Sequence, residues 1–189
     1  STAWPAKKQK EIAHRYMLGL YKILENITSN FPNILFESCS GGGGRFDAGM
    51  LYYMPQTWTS DDTDAIERLM IQEGTSLVYP TSSMGSHVSA VPNHQVHRIT
   101  PLNTRGVVAM AGSFGYELDV TKMNEEEKEE VKKQVEFYKN IRSTVQFGDL
   151  YRLKSSFDSN EAAWMNLSKD GKEVVVSYVK KYAEANVIP

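Results

Sequence analysis

Residues 34–64 read ILFESCSGGGGRFDAGMLYYMPQTWTSDDTD, and the arrangement of the whole chain follows from how this stretch is read. Ile34-Leu35-Phe36 is an apolar run of strand length that breaks into the polar Glu37-Ser38-Cys39-Ser40 and then four glycines, Gly41 to Gly44. Four glycines in a row give up side chains and carry a large entropic cost, which is tolerable where main-chain amides must come close to a ligand. Gln56-Thr57-Trp58-Thr59 is a second strand-like piece, and it runs into Ser60-Asp61-Asp62-Thr63-Asp64. Two strands that end in polar loops, joined by a connection of helix length, face the same way in a parallel sheet. That common face is the working surface of an α/β enzyme. Acids, a tryptophan and a glycine loop suit a sugar, which needs many short polar contacts and one aromatic face, better than a nucleotide.

Outward from this stretch the same alternation continues. Upstream, Pro5 fits a first helical turn, and Ile12, Tyr16, Leu20, Ile23 and Ile27 form an amphipathic stripe that must end before Pro32. The chain therefore opens on a helix that feeds directly into a strand. Downstream, Arg45 to Met54 supplies a short irregular helix. Asp62 or Thr63 can cap the next helix, with Ile66, Leu69 and Met70 inward and a stop at Gly74. Ser76-Leu77-Val78-Tyr79 reads as a strand closed by Pro80. Thr81 to Thr100 reads as a long loop carrying His87, His94 and His97, and loops of that length are usually functional. Leu102 to Ala111 is a helix and Phe114 to Leu118 a strand. Asn124 followed by Glu125, Glu126 and Glu127 is a strong helix start, with Val131, Val135, Tyr138, Ile141 and Val145 as its buried stripe. After Gly148 the texture changes to short strands at Leu150–Leu153, 162–167 and 174–179, with Asp170-Gly171 as a hairpin signal.

Composition limits what this can be. With 41% hydrophobic and 23% charged residues in 189, the chain is globular. A net charge of −2 gives no footprint for nucleic acid or for an anionic membrane surface. The single Cys39 cannot form an internal disulfide, which fits a reducing, cytoplasmic compartment, and no Cys/His cluster has metal-ligand spacing, so neither metal nor other cofactor is expected. No apolar run approaches the length of a membrane span.

The strings ESCSGGGGRFD, LYYMPQTWTSDDTDAIERL, GTSLVYPTSSMGSHVSAVPNHQ and FGYELD, in this order, resemble the bacterial α-galactosidases of glycoside hydrolase family 36. The resemblance runs through essentially the whole chain. It implies the second half of a (β/α)8 TIM barrel over residues 1–147, from the helix after barrel strand four to the last helix. Residues 148–189 would then begin a C-terminal all-β sandwich. It further implies hydrolysis of terminal α-linked galactose in melibiose- and raffinose-type sugars, and assembly as a homo-oligomer, a tetramer in the family. The class different from this is a non-catalytic sugar-binding or structural fragment.

Retaining glycosidases need two carboxyl groups about 5–5.5 Å apart, one a nucleophile and one an acid/base. By motif position Asp61 matches the family's acid/base. A carboxyl at a strand end beside Trp58, with Asp62 and Asp64 close by, is also expected to be partly desolvated and held above the usual range. The plainer reading makes Asp61, Asp62 and Asp64 helix caps. The family's nucleophile lies on a Lys-Trp-Asp type motif that is missing here, so the resemblance implies that this chain alone is inactive. Asp47 and Asp119 have structural explanations, as a cap or ion-pair partner of Arg45 and as a strand end. Cys39 and Gly42 match positions that contact galactose hydroxyls, although a lone cysteine is otherwise most often a small buried hydrophobe. Trp58 can pack against the sugar or fill the barrel. Glu37 is one more acid at a strand end. No Lys-Ser/Thr follows the glycines, which speaks against a phosphate cradle. The three loop histidines lack a fourth ligand, which favours hydrogen bonding or subunit contacts over metal.

Overall fold

The computed structural model describes residues 5–183, so the outermost residues of both expected domains, 1–4 and 184–189, lie outside it. Four parallel strands, β1 (Glu37–Ser38), β2 (Gln56–Trp58), β3 (Met84–Ser89) and β4 (Ser113–Glu117), form one sheet in the order of the chain. The register runs Glu37 beside Gln56, Trp58 beside Gly85 and Gly85 beside Ser113. Helices α1 (Ile12–Asn30, after a 3-10 turn at Ala6–Glu11), α2 (Ala48–Tyr53), α3 (Ala65–Ser76), α4 (Leu102–Ala109) and α5 (Glu125–Phe147) alternate with them. Sequential parallel strands joined by helices make half of a barrel, the half the resemblance implied. Three antiparallel strands follow, β5 (Asp149–Lys154), β6 (Glu161–Leu167) and β7 (Val174–Lys180), paired in that order.

Two apolar clusters join the sheets through the helices. Ala65 and Leu69 of α3 and Val108 of α4 pack against Ala162 and Val179, with Trp164 at the margin. Tyr138, Ile141 and Val145 of α5 pack against Phe114 of β4 and Val175 of β7. Polar contacts reinforce this docking. Glu73 of α3 accepts two hydrogen bonds from Ser156, each 2.6 Å, and Arg152 donates to Ser76. Helix α5 begins as read, with a complete capping box between Asn124 and Glu127, a motif worth about 1 kcal/mol.

Several expectations need correction. The ladder of β1 starts at Glu37, not in Ile34-Leu35-Phe36. Ile34 and Leu35 lie outside it and are 55% and 70% exposed. The stretch Ser76–Tyr79 is no strand. Helix α3 runs past Gly74 to Ser76, where Thr75 and Ser76 turn their hydroxyls back onto the Ile71 and Glu73 carbonyls, and Leu77 and Val78 are exposed. The strand is MGSHVS, inside the supposed loop 81–100. It alternates Met84, Ser86 and Val88, all buried, with Gly85 and His87 on the other face. His87 is accordingly a strand residue. The cap of α3 is Asp64, which accepts from the Ile66 and Glu67 amides, not Asp62 or Thr63. The α1 stripe is also shifted: Leu24 is its buried residue, whereas Tyr16 and Ile23 are exposed.

Candidate active site

Cys39 is exposed, one residue beyond the end of β1, so its reading as a buried hydrophobe does not hold. The glycine run that follows is wound with positive φ at Gly41, Gly42 and Gly43, a conformation that glycine adopts freely. This turn lies directly on the end of β2. A β-carbon on Gly42 would meet the Asp61 nitrogen and the Ser60 α-carbon at 2.6 and 2.9 Å, and one on Gly43 would meet the Thr59 carbonyl oxygen at 2.9 Å. The tertiary structure thus brings Gly42 onto Asp61, which the sequence separates by a whole helical connection, with Cys39 three residues before Gly42 at the end of β1.

Trp58 ends β2 on the barrel's inner face and is only 9% exposed. The His87 ring stacks on it at 4.7 Å, and the Arg68 guanidinium carbon lies 4.3 Å from its centroid. Little of the indole is left for a sugar within this chain. Arg68 is itself buried and donates from Nη1 to the Ser60 carbonyl and from Nη2 to that of Gly85. Burial pulls its guanidinium down to about 10, opposed by the fields of Glu117 and Asp62. Burial likewise lowers the His87 imidazole below its ordinary value, against the opposing pull of Glu117, whose Oε2 lies 3.8 Å from Nδ1, and of Glu37. Glu37 accepts a hydrogen bond from Gln56, its cross-strand neighbour.

Asp61 is exposed, contrary to the expected partial desolvation. Burial in this segment falls on Thr63 and Asp64 instead, because Asp64 caps α3 and is ion-paired to Arg98. Asp62 accepts from the Asp64 amide. The plainer reading of these acids therefore holds for Asp64 alone; Asp62 caps no helix but buttresses the cap by holding the Asp64 amide. It does not hold for Asp61, whose carboxylate caps no helix. Asp47 caps α2 by accepting from the Met50 amide, and Asp119 caps the turn after β4. His94 and His97 sit apart from His87, on the segment after β3.

Sequence reasoning overlooked the polar side chains that hold the Asp61 segment. Asn93 donates to the Thr63 hydroxyl at 3.0 Å, Ser89 donates to the Thr63 carbonyl at 2.7 Å, and Gln95 bonds to both Asp61 and Thr63. The string PNHQ is a turn signal, and nothing local in it points 30 residues back.

The Melibiase family model matches residues 1–148. Alpha-galactosidase AgaA of Geobacillus stearothermophilus is 67% identical over 186 residues, covering 98% of this chain and 26% of its own length. Alpha-galactosidase Mel36A of Lactobacillus acidophilus is 60% identical over 181 residues, covering 96% of this chain and 25% of its own. Among solved structures, a raffinose complex of an AgaA variant superposes with a TM-score of 0.95 at 65% identity over 100% of this chain and 26% of that one. The alpha-galactosidase of Lactobacillus brevis does so with 0.95 at 52% identity, with the same coverage. The chain spans about a quarter of the length of the relatives it matches. With the parallel half-barrel, the glycine turn seated on Asp61 and identity of this level along nearly the whole sequence, the chain belongs to the Melibiase family and matches about a quarter of the length of α-galactosidases of glycoside hydrolase family 36.

Proposed function

We propose that residues 1–147 form the second half of the catalytic barrel of a retaining α-galactosidase, that residues 148–189 begin its C-terminal β domain, and that Asp61 is the acid/base. The substrates are galactosides with terminal α-linked galactose, of the raffinose and melibiose type. The observation that carries this reading is the seating of the glycine turn against the Asp61 backbone, which puts an exposed carboxylate, an exposed thiol and an amide-rich turn at one end of the sheet. In the first step the Asp61 carboxyl protonates the departing glycosidic oxygen. In the second its carboxylate takes the proton from the attacking water. By the resemblance, Cys39 and the Gly42 amide meet galactose hydroxyls, and Trp58, stacked on His87, fills the barrel beside the site. The same resemblance carries a homo-oligomeric, cytoplasmic enzyme. The nucleophile comes from outside this chain, whose sequence holds no Lys-Trp-Asp string. A non-catalytic sugar-binding fragment is the reading that this absence favours.

The test is made in a complete barrel, with this chain exchanged for the matching quarter of the Geobacillus relative. Asp61→Asn is expected to lower kcat/KM on raffinose by about 10²–10⁴ and much less on an aryl galactoside with an activated leaving group, which needs the proton least. Equal losses on both would remove Asp61 from proton transfer. A chimera that folds and binds galactose without turnover would favour the sugar-binding reading.

A further inference from the structure

The turn from Ser60 to Asp64 has no ladder partner of its own, yet its main chain is bonded almost group by group to side chains. Arg68 donates to the Ser60 carbonyl at 3.1 Å, the Ser60 hydroxyl accepts from the Asp62 amide at 3.1 Å, and Ser89 donates to the Thr63 carbonyl. Buried or half-buried backbone groups must find partners, and here each partner also fixes the path of the chain. Two further bonds, one of them to Asp61 itself, come from a single residue. Gln95 Nε2 donates to the Asp61 carbonyl at 3.0 Å, and Gln95 Oε1 accepts from the Thr63 amide at 3.1 Å. A primary amide is the one uncharged side-chain group that can donate and accept side by side, so it serves the turn as a neighbouring strand would. Which amide atom is which follows from the chemistry, since a carbonyl can only accept and a backbone amide can only donate.

Gln95 is itself held in place. The Asn93 carbonyl oxygen Oδ1 accepts from the Gln95 and Val96 amides at 2.9 and 3.0 Å, and the Asn93 amide nitrogen reaches the Thr63 hydroxyl. Asn93 is buried and anchored, and Gln95 extends from the turn it forms. The Asp61 nitrogen, at the other end of the residue, lies against Gly42. The Asp61 peptide is therefore gripped from two loops, the glycine turn after β1 and the loop after β3.

We propose that Gln95 is a positioning residue for the reaction, acting through Asp61: its carboxamide clamps the main chain at the Asp61 carbonyl and again two residues on, at the Thr63 amide, and so sets where the Asp61 carboxyl stands against the glycosidic oxygen. This rests on the reading of Asp61 as acid/base. Proton transfer requires heavy-atom separations of about 2.6–3.2 Å, and a displacement of about 1 Å can cost a hundredfold, so releasing this clamp acts on the reaction without any contact between Gln95 and the sugar.

The experiment is a double-mutant cycle in the complete barrel, read as kcat/KM on raffinose and on an activated aryl α-galactoside. Gln95→Met keeps the side-chain length and removes both bonds. It is expected to lose about ten- to a hundredfold on raffinose and several-fold less on the aryl substrate. In the Asp61→Asn background the same change is expected to have no further effect on either substrate, because the group it positions is already gone. An equal loss on both substrates, or a loss of the same size in the Asp61→Asn background, overturns the proposal. If Gln95→Met does not fold, Gln95→Glu makes the same comparisons, since an ionised carboxylate still accepts from Thr63 but cannot donate to Asp61. Should Asp61→Asn alone show no leaving-group dependence, the acid/base reading fails by itself, while the cycle still reports whether Gln95 acts through Asp61.

Discussion

A β-carbon on Gly42 would stand 2.6 Å from the Asp61 nitrogen, whereas one on Gly41, the preceding residue, would meet nothing within 4 Å. Both residues have positive φ, +58° and +70° in chain order. Alanine at Gly41 is expected to cost only the backbone term, about 1–2 kcal/mol. Alanine at Gly42 must in addition displace the end of β2, so it is expected to cost more stability and to lower kcat in the complete enzyme, with Gly41→Ala close to wild type in rate. Denaturant unfolding with parallel kinetics checks the pair. Equal effects at the two positions would show that the contact with Asp61 does not matter.

Cys39 offers a chemical probe of the same site. An exposed thiol beyond β1 is expected to react with a thiol reagent, and saturating galactose to slow that reaction if the thiol meets a sugar hydroxyl. Cys39→Ala would then raise KM or lower kcat without changing the unfolding midpoint. Modification at full rate in saturating galactose counts against contact with the sugar.

His87 predicts a pH dependence. Its imidazole is lowered by burial against Trp58, with Arg68 acting in the same direction and Glu117 and Glu37 opposing. In the window just below its ordinary value of 6.5 the unfolded chain therefore binds more protons than the folded one. The stability from neutral His87 is present above that value and lost as the pH falls through the lower folded-state value. His87→Phe keeps a ring over Trp58 and removes the titration, so it is expected to flatten stability measured between about pH 7 and 5. An unchanged slope would assign the acid sensitivity to other groups.

The isolated chain exposes two kinds of adhesive surface. The parallel sheet has open edges at β1 and β4, and Ile34, Leu35, Tyr151, Leu153, Val176 and Tyr178 are exposed. Open edges and contiguous apolar area promote association. This chain expressed alone is expected to self-associate and to hydrolyse no aryl α-galactoside, and turnover is expected on mixing with the missing barrel half. Light scattering that reports a soluble monomer would contradict it.

What the sequence settles by itself is what local chemistry encodes. The Asn124–Glu127 capping box starts α5 where it was read. The strands 162–167 and 174–179 follow from their apolar content and the Asp170-Gly171 turn between them, and the α/β alternation, with acids and glycines at strand ends, gives a parallel α/β sheet that the family resemblance extends to a half-barrel. Strand β3 escaped because a barrel strand is sorted by its two faces. Met84, Ser86 and Val88 pack under helices while Gly85 and His87 face inward, so no apolar run marks it, whereas the apolar Leu77-Val78-Tyr79 follows a helix and stays exposed or half-buried. The burial of Trp58 between His87 and Arg68, the seating of Gly42 on Asp61 and the Gln95 clamp depend on the register of parallel strands and on loops up to 34 residues apart. Propensity and periodicity act over a few residues, but a hydrogen bond between a side chain and a distant main chain exists only once the sheet has fixed which strand ends stand side by side.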